Sequence, residues 1–167
     1  MYQFYMDNIT NYFNAEKSES LLFILVGIIA ISVSAYFILQ IKQPFYNGMC
    51  WPLIAIAFIQ ITVGTSVYFR SPKDIQRVTS IIQTEKEKIS SEEIPRMQVV
   101  MKNFIIYRYV EIVLLVSGLL LMFLFDQSFF LKGIGIGLFI QSALMLSLDF
   151  FAEKRGQDYL DFLQGIR

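Results

Sequence analysis

Apolar residues fill four long stretches of the chain, and polar residues collect between and outside them. The stretches cover residues 21–41, 50–69, 104–125 and 129–151. Each is about 20 residues long, the length of helix that crosses roughly 30 Å of hydrocarbon. In the strands of a transmembrane β-barrel, apolar and polar residues alternate, whereas these stretches show no such alternation. The sequence therefore predicts an all-α fold, a four-helix transmembrane bundle in a single domain over residues 1–167.

The polar stretch between the second and third spans, residues 71–103, has the pattern of a helical hairpin. Ser71 followed by Pro72 and Asp74 resembles a helix start, with a cap, a proline and an acid in the first turn. Residues 90–95 resemble a second start, and no breaker separates that helix from the third span. The hairpin can project from the membrane or lie flat on it, and this continuity favours projection. The apolar residues at helical spacing are Ile75, Val78, Ile82 and Ile89 in the first half, and Ile94, Met97, Met101 and Phe104 in the second.

Both tails are amphipathic, which predicts N-terminal and C-terminal helices beyond the spans. Each tail can lie in the membrane interface or pack against the hairpin, and the pattern favours neither. The residues on one face are Tyr5, Ile9, Tyr12 and Phe13 in the first tail, and Phe151, Tyr159, Phe162, Leu163 and Ile166 in the second.

Composition supports a membrane location and excludes several functions. The chain is 55% hydrophobic and 17% charged, whereas soluble proteins are about 25% charged. Its net charge is zero, which argues against a nucleic-acid partner. Because it has no His and one cysteine, Cys50, it lacks the residues for His-based triads, most zinc sites and an intrachain disulfide. We expect neither a metal site nor a cofactor.

The distribution of positive charge predicts the orientation. All but Lys42 and Lys132 of the 14 Lys and Arg residues lie in the two tails, in the 71–103 segment or at the adjoining span ends. Loops rich in Lys and Arg stay in the cytoplasm. We therefore expect both termini in the cytoplasm, with a bacterial inner membrane as the setting.

The strongest candidates for chemistry are polar residues inside the spans or at their edges, where charge is costly and often functional. Glu111 lies about two turns inside the third span, on the helix face that also carries Tyr107 and Arg108, so Arg108 can pair with it. Arg70 and Asp149 end the second and fourth spans at a similar depth. This intramembrane polar cluster is either a structural lock that pins the helices or a site for an ion, a proton or a head group. The near-balance of basic and acidic residues favours the lock.

Two glutamines and two glycines lie deeper in the spans. Gln60 and Gln141 fall near mid-membrane, where they can join helices by a hydrogen bond or line a polar cavity, and we favour the hydrogen bond. Gly133 and Gly137 form a GxxxG pair that permits close helix packing, within the monomer or across a dimer.

No motif in the chain identifies a reaction, so we do not expect an enzyme. We expect a non-enzymatic membrane protein that acts through protein–protein interaction, as an accessory or regulatory subunit or a membrane-embedded inhibitor or immunity factor. The alternative is a small homo-oligomeric transporter or channel that uses a buried site centred on Glu111. An enzyme acting on lipid or quinone at the inner leaflet is the third possibility. The expected partners are membrane lipids and either another protein or further copies of the chain.

Overall fold

The computed structural model describes residues 2–125 and 127–166, and this part of the chain is all-helical, as predicted. Four helices in it are long and apolar enough to cross a membrane. A π-helical turn ends the first helix, and another precedes the third. The elements are α1 (Tyr2–Tyr36), the turn Phe37–Ile41, α2 (Pro44–Thr84), the turn Ile89–Glu93, α3 (Ile94–Leu124) and α4 (Phe129–Gln164).

Each helix is longer than its apolar stretch. The helices have 35, 41, 31 and 36 residues, or about 46 to 61 Å at 1.5 Å per residue. A hydrocarbon layer accounts for roughly 30 Å of this. The excess lies mainly at one end of the bundle, formed by residues 2–20, 70–103 and 152–166, which we call the charged end. The opposite, loop end has short connections, with only Lys42 and Gln43 between the first turn and α2.

The predicted helix start at Ser71 is wrong, because α2 runs unbroken through Pro72 to Thr84. An interior proline removes one backbone hydrogen bond and normally disfavours a helix. Here neighbouring contacts offset that cost. The Ser71 hydroxyl donates to the Val67 carbonyl at 2.8 Å, and Arg70 pairs with Asp74 at 3.2 Å across the proline. The chain reverses only after Thr84, so the hairpin continues the second and third spans.

The tails also continue their spans instead of forming separate helices, because no breaker separates them. They pack against the hairpin, which was one of the two arrangements considered above. All four helices contribute to a buried apolar cluster at the charged end, which we call the charged-end core. Within it, Tyr12 of α1 stacks on Tyr159 of α4 with ring centroids 4.0 Å apart. The buried members are Ile9, Tyr12, Phe13, Val78, Ile81, Ile82, Ile89, Ile94, Met97, Tyr159, Leu160 and Leu163.

The helices form a row in which α1 packs on α2, α2 on α4, and α4 on α3. Glycines bring the backbones together. A Cβ on Gly48 of α2 would overlap the Phe130 carbonyl of α4, and a Cβ on Gly133 would overlap the Phe45 carbonyl of α2. Gly137 faces Met49 and Pro52 of α2. The GxxxG pair therefore serves close packing within the monomer.

Candidate functional site

Glu111 lies in the middle of α3, surrounded in sequence by apolar residues that keep the helix unbroken. Its side chain is almost fully enclosed, with 2% of the residue exposed. Neither carboxyl oxygen accepts a hydrogen bond from an N–H or hydroxyl donor among the described residues, and the polar group that interacts with it is the Asp149 carboxyl group. A buried carboxyl group normally has a donor or a cation as its partner, so a second carboxyl group in that place indicates a shared proton or a missing cation.

Asp149 of α4 is the group that interacts most directly with Glu111, which places two carboxyl groups together. In the described part of the chain, neither carboxyl group is paired with a Lys or Arg. Two carboxylates this close repel each other strongly where the dielectric constant is low. The pair therefore favours a shared proton or a bound cation.

The expected pairing of Arg108 with Glu111 does not form. Arg108 instead pairs with Glu153 of α4. Helical side chains lean toward the N-terminus of their helix, and the N-terminus of α3 points to the charged end. Arg108 therefore reaches away from the deeper Glu111 and toward Glu153.

A groove between α3 and α4 leads to the two carboxyl groups. Its deeper part is a cavity of about 480 Å³, and a second cavity of about 520 Å³ adjoins it toward the charged end. Arg108, Phe150 and Glu153 line both cavities. Along α4 the lining runs from Leu146 to Asp158, which is about 18 Å of helix. We call this continuous depression the α3–α4 groove.

The other members of the predicted polar cluster lie elsewhere. Arg70 pairs with Glu16 of α1 at 3.1 Å and with Asp74 at 3.2 Å. Tyr107 is 51% exposed and does not line the groove. The structure thus brings Glu111, Asp149 and Arg108 to one groove and leaves Arg70 and Tyr107 outside it.

Ion pairs do join the helices at the charged end, as a structural lock requires. Arg70 of α2 reaches Glu16 of α1, and Arg155 of α4 pairs with Glu19 of α1. Burial raises the pKa of Glu16, although Arg70 acts in the opposite direction. Glu111 takes no part in these bridges, so the lock and the carboxyl pair are separate features.

Sequence reasoning missed one charged residue at the centre of the charged end. Glu93 lies in the predicted second helix start, over residues 90–95, where an acid is normally solvated, yet its side chain is fully buried between Arg77 and Arg96, each at 2.6 Å. Burial alone would lower the pKa of Arg96, but the hydrogen bonds and charge of Glu93 raise it above its usual range. Glu93 lies four residues from Ile89 and from Met97, so its place on the apolar stripe was the available signal.

The two mid-span glutamines meet in the core. The Gln141 side-chain amide donates to the Gln60 carbonyl oxygen at 2.8 Å, and both residues are buried. This bond joins α2 and α4, which is the arrangement favoured above. The two glutamines therefore hold the central helix pair together.

The lining of the groove determines which groups it can hold. No group of three or more His, Cys, Asp or Glu residues suited to a metal ion occurs in residues 2–125 and 127–166. The groove presents carboxyl groups, one paired arginine and phenylalanine rings, which is a set suited to holding a cationic group against an apolar surface. The chain matches no family model, and no curated protein or solved structure matches it well enough to establish a relationship.

Proposed function

We propose that this chain is a non-enzymatic integral membrane protein that binds another membrane protein through the α3–α4 groove. Its role would be that of an accessory or regulatory subunit, or of a membrane-embedded inhibitor or immunity factor. The observation that carries this proposal is the Glu111–Asp149 carboxyl pair, which has no Lys or Arg partner among the described residues and lies at the base of a groove.

The groove is open at the side of the bundle. Phe150 and Phe151, which line it, are 63% and 62% exposed. A molecule within the membrane can reach these rings without passing between the helices. Two adjacent carboxyl groups without a basic partner are costly in such a setting, and an occupant that supplies a cation removes part of that cost.

We also propose that the charged end lies in the cytoplasm, with a bacterial inner membrane as the setting. The support is the concentration of Lys and Arg in residues 70–108 and in the tails. In this orientation the groove opens toward the inner leaflet, and the charged-end core extends beyond the membrane surface.

Site-specific photo-crosslinking in native membranes tests the proposal. The crosslinking amino acid p-benzoylphenylalanine replaces Phe150 in the groove or, as the control, Phe123 on the exposed face of α3 away from it. We expect a discrete protein adduct from position 150 only, reduced by a Glu111→Gln substitution. The same adducts at both positions, or lipid adducts alone, would reject a protein partner at the groove.

A second function, a homo-oligomeric transporter or channel, is favoured by the position of the carboxyl pair within the spans. Acidic pairs at such a depth serve proton and cation pathways in other membrane proteins. The distinguishing assay is flux of protons and monovalent cations in liposomes. Flux that disappears in a correctly folded Glu111→Gln variant would support transport. If the unmodified protein shows no flux, transport of these ions is excluded.

A further inference from the structure

The charges of the α3–α4 groove do not balance. The side chains lining its two cavities include two cations, Arg108 and Lys154, and four carboxyl groups, those of Glu111, Asp149, Glu153 and Asp158. Arg108 already pairs with Glu153, and Lys154 is exposed at the outer end of the groove. The surplus is therefore acidic and concentrated at the deep end, where Glu111 and Asp149 lie without a basic partner among the described residues.

The shape of the groove indicates the form of its occupant. Its lining follows α4 for about 18 Å, which is roughly three helical turns. Most of the deeper wall is apolar, with Phe104, Ile112, Leu146 and Phe150 around the acids. A long, mostly apolar groove between two helices matches the side of a third helix, as where an amphipathic helix binds in a hydrophobic groove.

The depth of the acids determines where the complementary charge must lie. Glu111 is seven residues inside the span that begins at Phe104, or about 10 Å along the helix. A lysine or arginine side chain at this depth can reach the partly exposed Asp149 carboxyl group, behind which Glu111 is enclosed, while its stem lies against apolar residues. The cation would replace the proton shared by the two carboxyl groups, which is favourable because the cation and the acidic pair each gain a partner.

We propose that the α3–α4 groove binds a transmembrane helix that carries a Lys or Arg about 10 Å from its cytoplasmic end, and that this cation pairs with Asp149 and, through it, with Glu111. This inference rests on the proposed function and specifies the chemistry of the partner. The Phe104 and Phe150 rings contact the apolar face of the incoming helix, and the Arg108–Glu153 pair lies where the two cavities of the groove meet.

Synthetic helices in vesicles provide the test. The full chain, labelled with a donor fluorophore at its C-terminus, is reconstituted with acceptor-labelled Leu/Ala transmembrane peptides. The peptides are identical except at one position about 10 Å from one end, which is Lys, Gln or Glu. We expect the Lys peptide to associate on the order of tenfold more tightly than the Gln peptide, the scale of one hydrogen-bonded charge. The Glu peptide should bind more weakly than either.

Variants assign the preference to the acids. Glu111→Gln and Asp149→Asn should each reduce the preference for Lys over Gln, whereas Glu87→Gln, at an exposed carboxyl group outside the groove, should leave it intact. The Gln peptide serves as the folding control, since a folded variant still binds it at the unmodified level. A variant that no longer binds the Gln peptide is replaced by Glu111→Asp, which keeps the charge and should retain the preference.

Two results would overturn the inference. The first is equal association of the Lys and Gln peptides with the unmodified chain. The second is saturable binding of the lipophilic cation tetraphenylphosphonium, dependent on Glu111, without any preference for the Lys peptide, because the groove would then serve small cations. Crosslinking from position 150 distinguishes a failure of this inference from a failure of the proposed function. A protein adduct without a Lys preference leaves the function standing and refutes only the partner's chemistry.

Discussion

Replacing Glu93 by Gln should destabilise the protein more than any other substitution of a single charge at the charged end. The Glu93 carboxylate is fully buried and accepts hydrogen bonds from Arg77 and Arg96, each at 2.6 Å. Tyr159 donates a further, longer bond at 3.4 Å. A glutamine of the same shape keeps the packing but leaves two adjacent guanidinium groups without their shared counter-ion.

The size of the effect follows from the burial of the partners. Removing one member of a fully buried ion pair costs about 3–5 kcal/mol. The arginines are not fully buried, since their side chains are 36% and 25% exposed, and solvent screens part of the interaction. We therefore expect a loss of about 2 kcal/mol in the free energy of unfolding. For a chain of this length that corresponds to a melting temperature about 4–8 °C lower.

The single cysteine supplies the assay. Cys50 is buried in the bundle, so a thiol-reactive fluorogenic dye reports its exposure as the protein unfolds in mild detergent. Glu92→Gln is the matched control, because Glu92 is the exposed neighbour of Glu93. A double variant, Glu93→Gln with Arg77→Gln, should recover part of the loss by relieving the repulsion between the guanidinium groups. If the Glu93→Gln and Glu92→Gln variants had the same melting temperature, the buried charge network would not stabilise the bundle as argued.

Three further predictions concern packing, hydrogen bonding and pH. Gly133→Ala should cost about 2–3 kcal/mol by forcing α2 and α4 apart, whereas Gly165→Ala, whose nearest atom is at 3.4 Å, should be neutral in the same melting assay. Gln60→Leu and Gln141→Leu should each cost about 1 kcal/mol and the double variant less than their sum, as a double-mutant cycle would show. Because burial raises the pKa of Glu16 above 4.5, its contribution to stability is fully present below pH 4.5 and falls as the pH rises through the raised pKa. Glu16→Gln should therefore flatten the dependence of melting temperature on pH from 4.5 to 8, and a steeper dependence would contradict this.

The helices were predictable because their apolar stretches are long and uninterrupted. Sequence patterns alone did not show how far each helix continues beyond its apolar stretch. Pro72 is a local signal for a helix boundary, but it is outweighed by the packing of α2 on α1 and α4. Such contacts between distant parts of the chain are not visible from a single proline.

Individual residues of the candidate site were predictable from the sequence, but the pairs that they form with other residues were not. Glu111 stood out because a charge interrupts an apolar run, and the structure encloses it. The pairing of Glu111 with Arg108 was wrong because spacing along one helix does not reveal the competing Glu153 on another helix. Glu93 was missed because an acid at a helix start is normally solvated, and its spacing from Ile89 and Met97 was the only sign that it faces the core.

The unbroken course of α2 couples the two ends of the bundle mechanically. It meets α4 backbone to backbone at Gly48 and Gly133, where no flexible side chain can absorb movement. It is joined to α4 again at mid-span through Gln60 and Gln141, and it enters the charged-end core about 50 Å from Gly48. A continuous helix held at both ends and in the middle cannot tilt at one contact alone, so a bulkier residue at the loop end should strain the charged-end core as well.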